Sequence, residues 1–469
     1  MMRKYEEMPR IKLPNAEDIR ISDTTIRDGC QMPGIAMKKS HKLKIFEYLH
    51  EMGVEKLETF VYNQRDKEAC RDMMDYGYEY PEVTGWARAN PADIDEVLKV
   101  DGIRETGILM SISDAHIFDK MSLKSREEAE NKYITALQYA VDHGLRTRCH
   151  IEDTSRADYS FVYPFIKKLI AVDPDTIIRI CDTLGYGVPF PEEPEPYGIP
   201  RVVTTLKKMG VKHIEMHVHD DFGMGVANTL AGLWYGADWA NLTFLGIGER
   251  AGNAELEKIM AFLITRVDGF EKYNLGKVTE FADFMEEEIG LRVPRNKAIV
   301  GKNIFSHESG IHTAGIIKNP FTYEPFPPEL VGGKRSLMIG ATSGTEVVRV
   351  KAEEALAELL GIKVQVDKSD PRIKCIHKAI QKMYDAEERR SSVSDEEMKN
   401  YVQKYFLYQV DGSDEDSEEH KLKKRSLKPE VLNPELLPLD ATPASVIAAA
   451  EKAPKTGRAV KADNGKKNK

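Results

Sequence analysis

The chain has 469 residues, 41% of them hydrophobic, and 67 Lys plus Arg against 76 Asp plus Glu, a net charge of −9. That length accommodates a large core with an appendage, and the acidic balance leaves no basic footprint for nucleic acid, so small molecules are the expected partners. The five cysteines form no CxxC pair, which fits reduced thiols in a cytoplasmic protein, and no run approaches the roughly 20 apolar residues that span a bilayer.

After a charged N-terminal extension (1–18), short β-branched runs alternate with amphipathic stretches as far as about residue 270. Strands are predicted at 19–24, 54–61, 83–87, 105–111, 145–151, 176–181, 212–217 and 240–245, followed by helices such as 38–52, 125–143 and 253–267. Eight strand–helix units in about 250 residues predict a TIM (β/α)8 barrel over 19–270. A doubly wound sheet is the rival, but polar residues fall at the strand ends, where such barrels build their sites. A small, mainly helical C-terminal module is expected over 271–410, with helices at 273–289, 346–360, 370–387 and 395–405 and an irregular segment at 296–344. From 411 to 469 an acidic run, a basic run and Pro-, Ala- and Lys-rich sequence predict a disordered tail.

His217 and His219 close the seventh predicted strand, and a spacing of two puts both imidazoles on one face. Such a pair either shares a cation or is a pair of satisfied core histidines. Asp28, in Asp-Thr-Thr-Ile-Arg-Asp-Gly-Cys-Gln (23–31), can supply an oxygen ligand, and Arg27 beside it a fixed positive charge. Other strand ends carry Glu58, Arg88, Ser113, Asp114, His116, Arg148, His150, Glu152, Asp182 and Thr183, each alternatively a structural ion pair at the barrel rim. The glycines at 246, 248 and 252 depart from the dinucleotide fingerprint and follow a last strand, so NAD binding is not expected.

The motifs at 23–29, 217–223, 246–253 and 307–312, in that order, resemble the 2-isopropylmalate, homocitrate and (Re)-citrate synthases, metal-dependent Claisen condensation enzymes on a TIM barrel. The resemblance covers about residues 19–350. It implies Asp28, His217 and His219 as ligands of a divalent cation, manganese first, with cobalt, magnesium or zinc as alternatives. It implies Arg27, Glu152, His312 and Tyr323 as catalytic residues, and Arg88, His116, Arg148, His150, Thr183 and Asn253 as substrate-binding. Arg148 matches the arginine that holds the distal substrate carboxylate, and Thr183 the threonine at the proximal one. Glu152 matches the acid that works with a histidine of the second module in forming the acetyl-CoA enolate. Acetyl-CoA, a 2-oxo dicarboxylic acid and a homodimer are the implied partners.

Cys30 and Asp220 depart from the family's usual pattern and Asn90 and His150 from that of the homocitrate synthases, and segments 80–86, 105–109, 148–150 and 185–187 look most like (Re)-citrate synthases. Oxaloacetate is therefore the expected 2-oxo acid. Cys30, beside the metal motif, carries an expectation of oxygen sensitivity. The alternatives are a homocitrate, isopropylmalate or phosphonomethylmalate-type synthase, a hydroxymethylglutaryl-CoA-type lyase, and a metal-binding protein without catalysis.

Overall fold

The computed structural model describes Tyr5 and residues 8–407. The predicted tail at 411–469 lies outside the described residues. Strands β1 (Arg20–Asp23), β2 (Lys56–Thr59), β3 (Glu82–Arg88), β4 (Glu105–Ser111), β5 (Arg146–Glu152), β6 (Ile177–Asp182), β7 (His213–Val218) and β8 (Trp239–Leu242) pair in chain order as a closed barrel. β8 closes in parallel on β1, Arg20 opposite Trp239 and Asp23 opposite Leu242. Helices α1 (Lys39–Met52), α2 (Gln64–Asp75), α3 (Pro91–Leu98), α4 (Arg126–Asp142), α5 (Tyr159–Val172), α6 (Ile199–Lys208), α7 (Gly225–Trp234) and α8 (Leu256–Arg266) alternate with the strands. This is the predicted TIM barrel, with every strand C-terminus on one face.

Local chemistry sets the helix starts. Asn63, Asn90, Ser125 and Asp158 each accept a first-turn N–H, satisfying donors that the helix leaves open. Asn90, one of the departures in the sequence, is thus the N-cap of α3. The eighth strand is shorter than predicted because Leu245 takes φ 58° and Gly246 φ 70°, which turns the chain out of the sheet after Leu242. The following helix starts later, at Leu256, since bridges from His219 to Asn253 and from Thr243 to Glu255 hold those residues extended.

The chain divides into two compact units, one running to Ile304 and including Phe326–Lys334, the other made of Phe305–Pro325 and the chain from Arg335. In the first, α9 (Val278–Glu287) packs on the barrel through Phe281, whose ring stacks on Phe244 at 3.7 Å and on Tyr48 at 4.7 Å. In the second, β9 (Ser306–His307) pairs with β10 (Ser336–Leu337) beside α10 (Gly310–Lys318), α11 (Thr345–Leu360), α12 (Pro371–Asp385) and α13 (Asp395–Val402). Val347, Val348, Ala352, Ile373, Ile376, Ile380 and Val402 form its own core. α10 lies within the stretch expected to be irregular. Among the described residues, no helix is long and apolar enough to cross a membrane.

Candidate metal centre and active site

After Asp23 the chain turns sharply, because Thr25 donates both its N–H and its hydroxyl to the Asp23 carboxylate, at 2.8 and 2.7 Å. The N–H groups of Arg27, Asp28 and Gly29 all fold back onto the Thr24 carbonyl at 3.1, 2.8 and 3.2 Å. That turn carries Asp28 over the barrel end to meet β7, whose alternation sends Glu215, His217 and then His219 to the inside. One ligand atom from each of Asp28, His217 and His219 lies within 4.8 Å of the others, and all three residues are buried.

The trio is oriented by its neighbours. Asn241 of β8 holds His217 Nδ1 through Oδ1 at 2.6 Å, while its own amide donates to Ser22 at 2.8 Å, which leaves His217 Nε2 facing Asp28 Oδ2 at 3.5 Å. Asn253 donates to Asp28 Oδ1 at 3.1 Å and Arg27 to Oδ2 at 2.9 Å. Burial pushes the Asp28 carboxyl up, but Arg27 and the two imidazoles outweigh it and hold it below its ordinary value. Burial also lowers both histidines, His217 well below its usual range. An ionised carboxylate with two neutral imidazoles is the protonation state that ligates a divalent transition metal. His219 Nδ1 is buried with no hydrogen-bond partner, so the donor set fits a cation on this structure's own terms. Gly248 closes the wall: a Cβ there would stand 3.1 Å from Asp28 Oδ1 and 2.3 Å from the Asn253 amide.

Beneath the trio the barrel interior is charged. Glu58 accepts from Arg27 Nε at 2.6 Å and Thr24 at 3.1 Å, and pairs with Arg179 Nη2 at 2.9 Å and His150 Nε2 at 3.2 Å. Burial and the Arg179 guanidinium push His150 down to about 4, so its ring is neutral. Gly107 of β4 makes room for it, because a Cβ there would lie 2.4 Å from His150 Nε2. Arg148 is engaged deeper in this layer, with Nη2 3.0 Å from Glu105, Nε 3.1 Å from Glu215 and the guanidinium 5.5 Å over Trp239. The fork expected to hold a substrate carboxylate is therefore shared by two glutamates, although among the described residues none of its three nitrogens makes a well-aligned hydrogen bond.

The other expected residues separate into groups. Glu152 and His116 meet at 3.1 Å at the end of β5, joined by Lys120, which the sequence reading did not select. Thr183 ends β6 and accepts the Asp153 N–H at 2.9 Å. Arg88 ends β3 with an exposed guanidinium forked onto Asp93 of α3 at 2.6 and 2.9 Å. His312 and Tyr323 belong to the other compact unit, where their rings lie 4.2 Å apart, and His307 sits 3.3 Å from Glu324. Cys30 is partly buried beside the Asp28 turn, and burial pushes its thiol up. Asn241, Arg179 and Glu215 were missed, although a polar or charged residue inside an otherwise apolar strand is itself a signal.

Residues 18–285 match the HMGL-like family model, and residues 299–388 match the homocitrate synthase post-HMGL domain-like model. The chain belongs to the HMGL-like family. It is 35% identical to a citrate (Re)-synthase of Clostridium kluyveri over 88% of this chain and 94% of that protein. It is 38% identical to a probable 2-isopropylmalate synthase of Ignicoccus hospitalis over 70% of this chain and 80% of that one. Homocitrate synthase AksA of Methanothermobacter thermautotrophicus is 35% identical over 75% of this chain and 87% of its own. The family expected from the four motifs is borne out, and its members divide among several 2-oxo acids.

Proposed function

We propose that the protein is a metal-dependent acyltransferase that condenses acetyl-CoA with oxaloacetate and hydrolyses the thioester to citrate and CoA, the reaction of a citrate (Re)-synthase. The observation that carries this reading is the buried Asp28–His217–His219 trio with Arg27 hydrogen-bonded to its carboxylate. Support for the particular acid comes from the relative in Clostridium kluyveri, matched over nearly its whole length. It comes also from the Glu58–His150–Arg179 layer, whose bulk beneath Arg27 suits a short dicarboxylate.

A divalent cation held by the trio, manganese as first choice, supplies Lewis-acid polarisation of the ketone. Arg27 places a permanent positive charge where the oxygen gains negative charge, and Glu58 aims that guanidinium with a 2.6 Å bond. Asn253 and Thr183 orient the 2-oxo acid at the strand ends, with Arg148 setting the charge behind it and His150 beside Arg148's layer. Burial keeps His150 neutral, so it contributes shape and a hydrogen-bond site rather than charge. Glu152 and His116 serve the acyl half of the reaction, in a homodimer to which the second module brings His312 as proton acceptor and Tyr323.

The test is CoA-thiol release by anaerobically purified protein with manganese and acetyl-CoA, comparing oxaloacetate, 2-oxoglutarate and 2-oxoisovalerate. Oxaloacetate is expected to exceed the others in kcat/KM by at least about 100-fold, the scale on which a site built around charged partners rejects a wrong substrate. Preference for 2-oxoglutarate would make the protein a homocitrate synthase and retire the assignment to citrate.

A further inference from the structure

Between β4 and α4 the chain forms a π-helical turn, Ala115–Lys120, in which the Met121 N–H reaches back five residues to the His116 carbonyl at 2.9 Å. Such turns are rare and concentrate at functional sites. Here the widened turn directs His116 and Lys120 at one target. Lys120 Nζ donates to both oxygens of Glu152, at 2.8 and 2.8 Å, and His116 Nδ1 stands 3.1 Å from the nearer one. Ser111 of β4 donates to the same carboxylate.

The remaining neighbours add no positive charge. Asp153 lies 3.6 Å from the far nitrogen of His116, Tyr133 of α4 donates its hydroxyl to the Ser111 carbonyl, and burial holds Tyr133 and Cys181 of β6 in their protonated forms. Among the described residues, Lys120 is therefore the permanent cation in contact with Glu152. Its side chain is 46% exposed while the carboxylate is 15% exposed, so the clamp closes from the solvent side of the barrel end.

We infer that Lys120 is a positioning residue that grips both oxygens of Glu152 and keeps it a permanent anion at the mouth of the barrel, so that Glu152 acts as a fixed charge rather than a proton acceptor. The assignment rests on the reading of Glu152 as part of the machinery that forms the enolate. Geometry and charge agree: Lys120 holds both oxygens of Glu152, and Ser111 and His116 crowd the one nearer to them, so the ionised form is the one the surroundings are built to hold. Burial pushes the Glu152 carboxyl up, yet His116, Lys120 and Ser111 together draw it down to about 2. A proton acceptor tuned that low is a weak base at neutral pH.

The experiment compares Lys120→Met and Lys120→Arg with the parent protein in the pH dependence of kcat/KM for CoA release. In Lys120→Met the acid limb should move up by about one to two pH units, the range over which a lost neighbouring charge shifts a carboxyl, and Lys120→Arg should restore the parent profile. A rate lowered by the same factor at every pH, with the limb unmoved, would mean a purely structural lysine and overturn the inference.

A second measurement needs no substrate: 13C NMR titration of protein labelled at the glutamate carboxyl carbon, with Glu152 assigned by its disappearance in Glu152→Gln. The Lys120→Met signal should titrate about one to two pH units above the parent signal. Identical titrations would also overturn the inference. If no 2-oxo acid is turned over at all, the condensation reading fails while this titration still decides the role of Lys120.

Discussion

Asn241 governs how His217 presents itself. Its 2.6 Å contact with Nδ1 fixes the ring and leaves Nε2 toward Asp28, and its own amide is anchored on Ser22. Partners of this kind typically contribute 10–100-fold in metal affinity. Asn241→Leu should therefore weaken manganese binding by about 10–100-fold in a chelator-competition titration, with the fold intact by circular dichroism. Affinity within twofold of the parent would show that the ring needs no such anchor. The candidate ligands, which the structure brings together, were legible in the sequence because a carboxylate after the first strand and two histidines at alternate positions of the seventh have a chemistry of their own. Asn241 was passed over, since an asparagine inside an apolar strand signals a buried partner without telling which neighbour across the sheet it serves.

At the scale of elements, β4 and β5 are coupled through one missing side chain. His150 occupies the volume that a Cβ at Gly107 would need, at 2.4 Å, and the same ring nitrogen is held by Glu58 at 3.2 Å. Overpacking of this sort costs about 1–3 kcal/mol. Gly107→Ala should lower the unfolding free energy by that amount in urea denaturation, and adding His150→Ser should recover most of the loss. Strictly additive losses in the double-mutant cycle would show that the two positions do not meet. The strand–helix alternation and most element boundaries could be read from periodicity alone. The exceptions have separate causes: β8 ended early where Leu245 adopts a positive φ, and α10, rich in small and β-branched residues, carries a helical pattern too weak to stand out.

On the scale of the whole molecule, the proposed residues fall in both compact units: Glu152 is in the barrel unit, and His312 and Tyr323 are in the unit with its own core. The proposed homodimer makes a definite prediction. Mixing inactive Glu152→Gln with inactive His312→Ala after reversible dissociation should restore about a quarter of parental activity if each site draws on two subunits, since random pairing yields half mixed dimers with one intact site each. No recovery, with mixed dimers verified by mass spectrometry, would assign both residues of each site to a single chain.

The barrel, the family and the candidate metal trio were all legible in the linear chain, because hydrophobic periodicity is a local property and each motif carries its ligand chemistry within a few residues. Folding decided what those residues face. The sequence could not reveal that Arg148 is shared by two glutamates, that Arg88 turns to Asp93, or that Lys120 clamps Glu152 across 32 positions. Ion pairs between strands depend on register and closure of the sheet, and those are set by the packing of the whole barrel rather than by any one segment.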